Sequence, residues 1–405
     1  MDLKSFLRRN SRISARAPKS GHTFSENLVS QPLVRHRTFH RHDVITEGWY
    51  PLCRSSLLSV ARARSVTVGQ QRLVIFRGQD GRVRALDAFC PHMGADLSNG
   101  TVVENDIQCY FHQWRFNERG ACVSTRCGKK PSSGARIQSY SVDEKWGHIW
   151  VYAGGEAEYP LPLPPGLDGC DVNAWHLGRV RLYAHHHAMM AGGIDLQHFG
   201  SVHGLDADFD VEHTQTHPHQ AEWFVRGRLP AQGSFRQRLG GALLGRTFGY
   251  RMRVAGGSVV AMTYGDAPRL FGSGLSLPTL HILWGCLPQK DGVSEVEIFV
   301  LAQRGEKALG HCLSASKKLM TLLLLGALRD DDVKAFPNMR FQPRNLLRED
   351  APVVQLIQYL NAQPVTEWSQ RAAWEEEVAR ENKASDARSG GVSRSLPLYS
   401  EGVVE

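Results

Sequence analysis

The sequence predicts an α+β protein: an all-β domain, followed by a domain in which strands and helices mix. Three observations carry this. Short strand-and-turn runs fill the stretch 48–152, a proline-rich break follows at 159–166, and longer strand-like runs alternate with helical ones beyond it. At 405 residues and 42% hydrophobic side chains, the chain is long enough for two domains with sizeable cores.

Residues 1–45 are rich in Arg and Ser, poor in acids and without hydrophobic periodicity, which reads as a basic, disordered extension. The same composition fits an organellar transit peptide, so a cytoplasmic and an organellar protein both stay open; no apolar core of a secretory signal is present. The first domain occupies 46–155. Its apolar run 73–76 is closed by Gly78-Gln79-Asp80-Gly81 and returns over 83–89, a hairpin pattern. The aromatic, β-branched run 146–152 is a further strand. Residues 156–170 form a linker around Tyr159-Pro160-Leu161-Pro162-Leu163-Pro164-Pro165-Gly166. The second domain, 171–382, has strand-like runs at 221–228, 258–264, 280–287 and 295–302, with helical stretches at 188–203, 306–336 and 366–382. The polar segment 383–405 reads as a disordered tail.

The net charge of +8 is concentrated at one end. Residues 1–45 hold nine Lys and Arg against Asp2, Glu26 and Asp43, which leaves the other 360 residues about +2. No basic groove, zinc-finger or RNA-recognition pattern follows, so a nucleic-acid partner is not expected. The longest apolar run, 319–328, contains Gly326 and falls short of the ~18 residues of a membrane span. Eight cysteines (53, 90, 109, 122, 127, 170, 286, 312) are too sparse for a disulfide scaffold and fit an intracellular, thiol-rich protein.

The most informative stretch is Cys90-Pro91-His92-Met93-Gly94-Ala95-Asp96-Leu97, followed by Cys109-Tyr110-Phe111-His112-Gln113-Trp114-Arg115-Phe116. It reads Cys-x-His, sixteen residues, Cys-x-x-His. Two thiolates and two imidazoles on tight loops suit zinc or a Rieske [2Fe–2S] cluster, in which one iron takes both cysteines and the other both histidines. The order of ligands favours the cluster. A zinc finger places its cysteines together and its histidines together, whereas here each loop supplies one of each. Gly94 and Gly100 supply turn freedom, and Pro91 stiffens the first loop. Cys122 and Cys127 lack the spacing of further ligands and read as structural, as do Cys53, Cys170, Cys286 and Cys312.

In the second domain Asp195-Leu196-Gln197-His198-Phe199-Gly200-Ser201-Val202-His203-Gly204 reads Asp-x-x-His-x4-His. Asp195 and His198 share a helix face. His203 reaches the same side only past a helix end or bulge, for which Gly200 and Gly204 give room. Alone, such a pair fits solvated or core histidines equally well. Behind a Rieske motif, two histidines and a distant carboxylate make a facial triad for Fe(II).

With both motifs in place, the chain resembles the oxygenase (α) component of Rieske non-heme iron oxygenases over about residues 46–365. The resemblance implies a helix-grip catalytic domain, an antiparallel sheet plus helices, and a head-to-tail homotrimer. It implies Cys90, His92, Cys109 and His112 as ligands of one [2Fe–2S] cluster, and His198 and His203 on one mononuclear Fe(II). The third iron ligand falls in Asp330-Asp331-Asp332-Val333-Lys334-Ala335-Phe336, similar to an Asp-Val-x-x-aromatic stretch of ketosteroid hydroxylases. That similarity selects Asp332, with Asp331 next. Asp195 matches the acid that links an iron histidine to a cluster histidine of the neighbouring subunit. Two departures stand out: Ala191 replaces a polar residue four before Asp195, and Tyr110 replaces a proline. His185-His186-His187 just upstream reads as a strand-like stretch with partly buried histidines.

The stretches 195–199 and 338–347 resemble one branch, which holds ketosteroid hydroxylases, cholesterol desaturases and prodiginine oxidative cyclases. These act on large hydrophobic, often polycyclic molecules. The implied function is O2-dependent oxidation of such a substrate by hydroxylation, desaturation or oxidative cyclisation. No dinucleotide fingerprint or plant-type ferredoxin motif is present, so NAD(P)H acts indirectly through a separate reductase, with or without a ferredoxin. The alternative is a Rieske electron-transfer protein without oxygenase chemistry, which has no need of His198, His203 or Asp332.

Overall fold

The computed structural model describes residues 38–129, 131–204, 206–230, 247–265, 279–289, 292–304 and 345–369. Asp330, Asp331, Asp332, the helical stretch expected at 306–336, Cys312 and the tail 383–405 lie outside the described residues, as does the expected last helix beyond Ser369.

The first domain is built from three small antiparallel sheets. β1 (Gly48–Arg54), β10 (Val142–Lys145) and β11 (His148–Ala153) form one, in the order β1-β11-β10. β2 (Arg62–Val68), β3 (Gln71–Arg77), β4 (Val83–Asp87) and β9 (Ser139–Tyr140) form the second. β5 (Thr101–Val103), β6 (Asp106–Gln108), β7 (Arg115–Phe116) and β8 (Cys122–Ser124) form the third. The expected hairpin is β3–β4, with Arg77 opposite Val83. The strand expected from residue 146 begins at His148. Lys145 pairs with His148, and Trp146 and Gly147 both take positive φ (56° and 72°). A two-residue turn of this mirror-image kind matches the twist of its strands.

The second domain is one seven-stranded antiparallel sheet, ordered β12-β18-β17-β16-β15-β14-β13. Its strands are β12 (Val172–Leu182), β13 (Asp208–His217), β14 (Gln220–Arg228), β15 (Thr247–Ala255), β16 (Val259–Tyr264), β17 (Leu280–Pro288) and β18 (Ser294–Gln303). Alternation along the strands gives the sheet two apolar faces. One face, with Trp223, Val225, Met252, Val254 and Val296, packs on α1 (His186–Gly192), α2 (Leu196–Ser201) and α3 (Ala351–Ala362) through Met190, Ile194, Leu196, Leu356 and Leu360. The opposite face, with Ala261, Leu283, Phe299 and Leu301, packs on Trp49, Trp150 and Tyr152 of the first domain and on Tyr159, Leu161 and Leu167 of the linker.

The linker 156–170 is docked on the sheet: Arg253 donates to the Leu163 carbonyl and pairs with Asp168 (2.6 Å), and Thr263 donates to the Pro165 carbonyl. Three expectations are corrected here. The single helix expected at 188–203 is two, broken at Gly193–Asp195, where Ile194 and Asp195 N–H groups both return to the Ala191 carbonyl. His185-His186-His187 is not strand-like but opens α1, with all three side chains buried. The disordered extension does not run to residue 45. Phe39 is fully buried in the helix-side core, Ile45 is buried against the first domain, and Thr38 and Phe39 N–H groups both donate to Asn361 Oδ1. The basic composition of the segment masked the two apolar residues that tie it down.

Candidate functional site

The two loops carrying the Cys/His motif fold by the same hydrogen-bond scheme. In the first, between β4 and β5, the Gly94 N–H donates to the Cys90 carbonyl (2.8 Å) and the Cys90 N–H to the Ala95 carbonyl (2.9 Å). In the second, between β6 and β7, Gln113 donates to Cys109 (3.0 Å) and Cys109 to Trp114 (2.8 Å). In each loop the residue four beyond the cysteine turns the chain with positive φ: Gly94 at 74° and Gln113 at 57°. Gly100 has ordinary φ (−80°), so it does not supply turn freedom as expected. A Cβ there would strike the Gln108 carbonyl, so its glycine lets the two loops approach.

The four side chains converge. Cys90 and Cys109 are 3% and 1% exposed, in a core with Phe76, Leu86, Leu97, Ile107 and Phe116. Burial, with the neighbouring Cys109 sulfur, pushes the Cys90 thiol up to about 11, so a thiolate here needs a cation beside it. The Nδ1 atoms of His92 and His112 face each other at 3.1 Å. Two imidazoles sharing one metal through bonds of about 2.1 Å, at roughly a right angle, place their nitrogens at about this separation. The donor set therefore fits a [2Fe–2S] cluster held by two buried sulfurs and two outward imidazoles. Trp114, which sequence reasoning passed over, stacks flat on His92 (4.4 Å between centroids, 9°), and Phe111 lies against His112. Met93, Tyr110 and Phe111 are more than half exposed and form an apolar rim around the two imidazoles.

The second site sits where α1 turns into α2. Asp195 is the N-cap of α2: its Oδ1 accepts from the N–H groups of Gln197 (3.0 Å) and His198 (3.2 Å). An acid followed by a short apolar-periodic run is a capping signal that could have been read from the sequence. The helix ends at Ser201, which frees the backbone to bring His203 round, and the His198 and His203 rings meet at 4.6 Å in a T-shape. Tyr250 on β15 braces the corner by donating to the Gly193 carbonyl (2.7 Å), and Gln197 reaches Asp350 at the start of α3 (2.7 Å). Thus His198, His203 and Asp195 are brought together; Asp332 lies outside the described residues.

His185, His186 and His187 also lie within ligand reach of one another. Their ring nitrogens are committed elsewhere. His185 Nδ1 accepts from the His187 N–H, His187 Nδ1 accepts from the His40 N–H, and both His186 and His187 point Nε2 at the Gly257 carbonyl (2.8 and 3.2 Å). Burial lowers the pKa of all three and keeps them neutral. Their role is to hold the segment around His40 against α1.

Residues 48–141 match the family model of the Rieske [2Fe–2S] domain, which contains both cluster loops. Among curated proteins, the chain is similar to a cholesterol 7-desaturase of Bombyx mori, 35% identical over 160 residues, covering 38% of this chain and 35% of that protein. It is also similar to the oxygenase component of a 3-ketosteroid-9-alpha-monooxygenase of Mycolicibacterium smegmatis, 29% identical over 180 residues, covering 41% and 45%. The chain thus matches less than half the length of these relatives. Among solved structures, Pseudomonas putida CBB5 NdmB superposes with a TM-score of 0.58 at 18% identity, over 82% of this chain and 93% of that one. The terminal oxygenase of carbazole 1,9a-dioxygenase from Novosphingobium sp. KA1 gives 0.56 at 17% identity, over 80% and 94%. These likenesses show the α+β fold expected from the sequence, a Rieske domain followed by a sheet-and-helix domain.

Proposed function

We propose that this chain is the oxygenase component of a Rieske-type system, which uses O2 to hydroxylate, desaturate or oxidatively cyclise a large hydrophobic, polycyclic substrate in the cytoplasm. The observation that carries the reading is the presence of two separate imidazole pairs: His92 and His112 facing each other at 3.1 Å above two buried thiols, and His198 and His203 beside the Asp195 cap. An electron carrier needs only the first pair. When bound, the [2Fe–2S] cluster supplies one-electron transfer and a mononuclear Fe(II) supplies O2 activation.

The chain's own residues hold and orient. Cys90 and Cys109 would hold one cluster iron and His92 and His112 the other; His198 and His203, with Asp332, would hold the mononuclear iron. Asp195 fixes the start of the helix that carries His198, by accepting the His198 backbone N–H. Both capping bonds go to Oδ1, which leaves Oδ2 for an imidazole N–H from His112 of a neighbouring copy in the proposed homotrimer. The apolar rim of Met93, Tyr110 and Phe111 suits burial in that contact. A separate reductase, with or without a ferredoxin, passes electrons on from NAD(P)H. Support for the substrate class comes from the named steroid and sterol activities of the relatives.

The test is spectroscopic and elemental. The reduced protein is expected to show an electron paramagnetic resonance signal with average g below 2, and about three irons per chain, two in the cluster and one mononuclear. His203→Ala should leave about two irons and an unchanged cluster spectrum. A colourless zinc protein would overturn the cluster reading, and full iron in His203→Ala would overturn the second centre.

A further inference from the structure

A second two-histidine, one-carboxylate group lies away from both sites, at the seam between the domains. His148 opens β11 in the first domain, His176 lies on β12 and Glu297 on β18 of the second. One ligand atom from each lies within 4.8 Å of the other two. His176 Nε2 is 2.6 Å from Glu297 Oε2, and His148 Nε2 is 3.7 Å from the same oxygen.

The backbone is shaped to make this cluster. His176 and Arg179 are three residues apart, so in a regular strand they would point to opposite faces. A bulge between His176 and Gly178, with Gly178 at φ +135°, inserts one residue and turns both side chains toward Glu297. Arg179 then holds the other carboxylate oxygen, Oε1, at 2.6 Å and reaches across to the Leu52 carbonyl of the first domain (3.3 Å). Its Nη1 pairs with Glu295. The guanidinium thus settles one oxygen and leaves Oε2 directed at the two imidazoles, whose rings lie 4.3 Å apart beside Phe299.

His148 is what a hydrogen-bonded network alone does not explain. It is 1% exposed, and neither ring nitrogen has a hydrogen-bond partner among the described residues, since 3.7 Å is too long for one. The Nε2 that faces Glu297 is the nitrogen a ligand here would satisfy, and leaving it unsatisfied in the interior is costly.

We propose that His148, His176 and Glu297 bind a divalent transition-metal ion of the zinc type, which joins the two domains. The donors are two imidazole nitrogens and one carboxylate oxygen, a set such ions accept with a fourth position left for water. Tetrahedral bonds of about 2.0–2.1 Å set neighbouring donors about 3.3 Å apart. The 3.7 Å contact closes slightly to meet this, and the 2.6 Å contact opens. With its proton on Nδ1, His176 presents Nε2 as a neutral ligand, the form in which an imidazole binds such an ion. Arg179 orients the ligating carboxylate as an outer partner. His176, 12% exposed at its side chain, lies on the solvent side and gives the ion its approach.

The experiment uses the full chain with its cluster, carrying His198→Ala and His203→Ala so that this other pair cannot contribute. After equilibration with buffered free zinc, about one zinc per chain is expected, with nitrogen and oxygen but no sulfur neighbours in zinc-edge X-ray absorption. The thermal midpoint should rise with zinc, as it does for any ligand bound only by the folded chain. Adding Glu297→Gln or His148→Phe should reduce bound zinc at least tenfold and abolish the rise. The proposal is overturned if the parent chain retains no zinc, if its zinc has sulfur neighbours, or if either folded variant binds zinc undiminished. If His148→Phe does not fold, Glu297→Gln decides. The outcome is independent of the oxygenase reading, because it is scored without turnover.

Discussion

The two imidazole pairs assigned to metal centres are built in different ways. His92 and His112 come from loops twenty residues apart, each closed by its own pair of backbone hydrogen bonds and seated on a common apolar core. Their convergence is fixed by tertiary packing, and Trp114 stacks on one ring. His198 and His203 come from one short helix and its exit, oriented by a single capping carboxylate and braced by Tyr250 and Gln197. The first pair is a product of a rigid small domain. The second is a local device on a corner that packs on the sheet through Ile194 and Leu196 and is tied to it by Tyr250. The difference is one of origin: the first pair depends on two separate loops meeting, the second on how one short helix starts and ends.

The largest expected effect breaks the first pair. Cys109→Ala should abolish the visible absorbance of the cluster and bring turnover to background, with the apo chain measured by circular dichroism as still folded. Next, His203→Ala should bring turnover to background while leaving the cluster spectrum intact; simultaneous loss of cluster colour would mean the two constructions are not separable.

Asp195 sharpens the contrast because two roles meet in one carboxylate. Asn caps a helix about as well as Asp, so Asp195→Asn should alter unfolding free energy by less than about 0.5 kcal/mol. It should still slow single-turnover cluster oxidation about 10- to 100-fold, the usual cost of removing a partner that orients a metal ligand. Asp195→Ala should add a stability loss of about 1 kcal/mol. Equal kinetics for Asn and wild type would confine Asp195 to capping.

The smallest effect tests the likeness of the two cluster loops. Gly94 and Gln113 occupy equivalent positive-φ positions, and a Cβ on Gly94 meets no atom within 4 Å. Gly94→Ala should therefore cost about 1 kcal/mol through backbone strain alone, and Gln113→Gly should be neutral or stabilising by a similar amount. Denaturant midpoints of the cluster-loaded protein would show it, and a large loss in Gln113→Gly would mean its side chain does more than turn the chain.

The chemistry of the first site was legible because ligands of a cluster are residue types at fixed spacing, and the β3–β4 hairpin because its turn is written in Gly and Asp. Strands β12, β13 and β15 were passed over although apolar residues alternate in them with Arg, Asp and Glu, the pattern of strands with one buried face, because their charge suggested exposed loops. The helix α3 escaped notice although Gln355, Gln358 and Asn361 recur every three residues between buried apolar ones, the spacing of a helix with one polar stripe. His148 and Glu297 looked like ordinary strand residues. Their burial comes from the packing of one domain on the other, which no local pattern records. Asp332 remains a sequence-based assignment, outside the described residues.

The segment that begins at Thr38 has a consequence for how the chain is made. Thr46 bridges to Val365, Glu47 donates to the Pro364 carbonyl, and Ile45 donates to Ser369, a clasp between positions more than 320 residues apart in the case of Ile45. Trp368 completes it by donating to Tyr140 of the first domain. On the ribosome, residues 38–47 emerge more than 300 residues ahead of these partners. At a synthesis rate of about 5–20 residues per second, Phe39, whose core includes Leu356 and Leu360, waits some tens of seconds for these partners after the first domain could have formed around Ile45. Closing so long a loop is entropically late, so the clasp should form after the first domain, and nascent chains stalled before residue 360 should present Phe39 to chaperones.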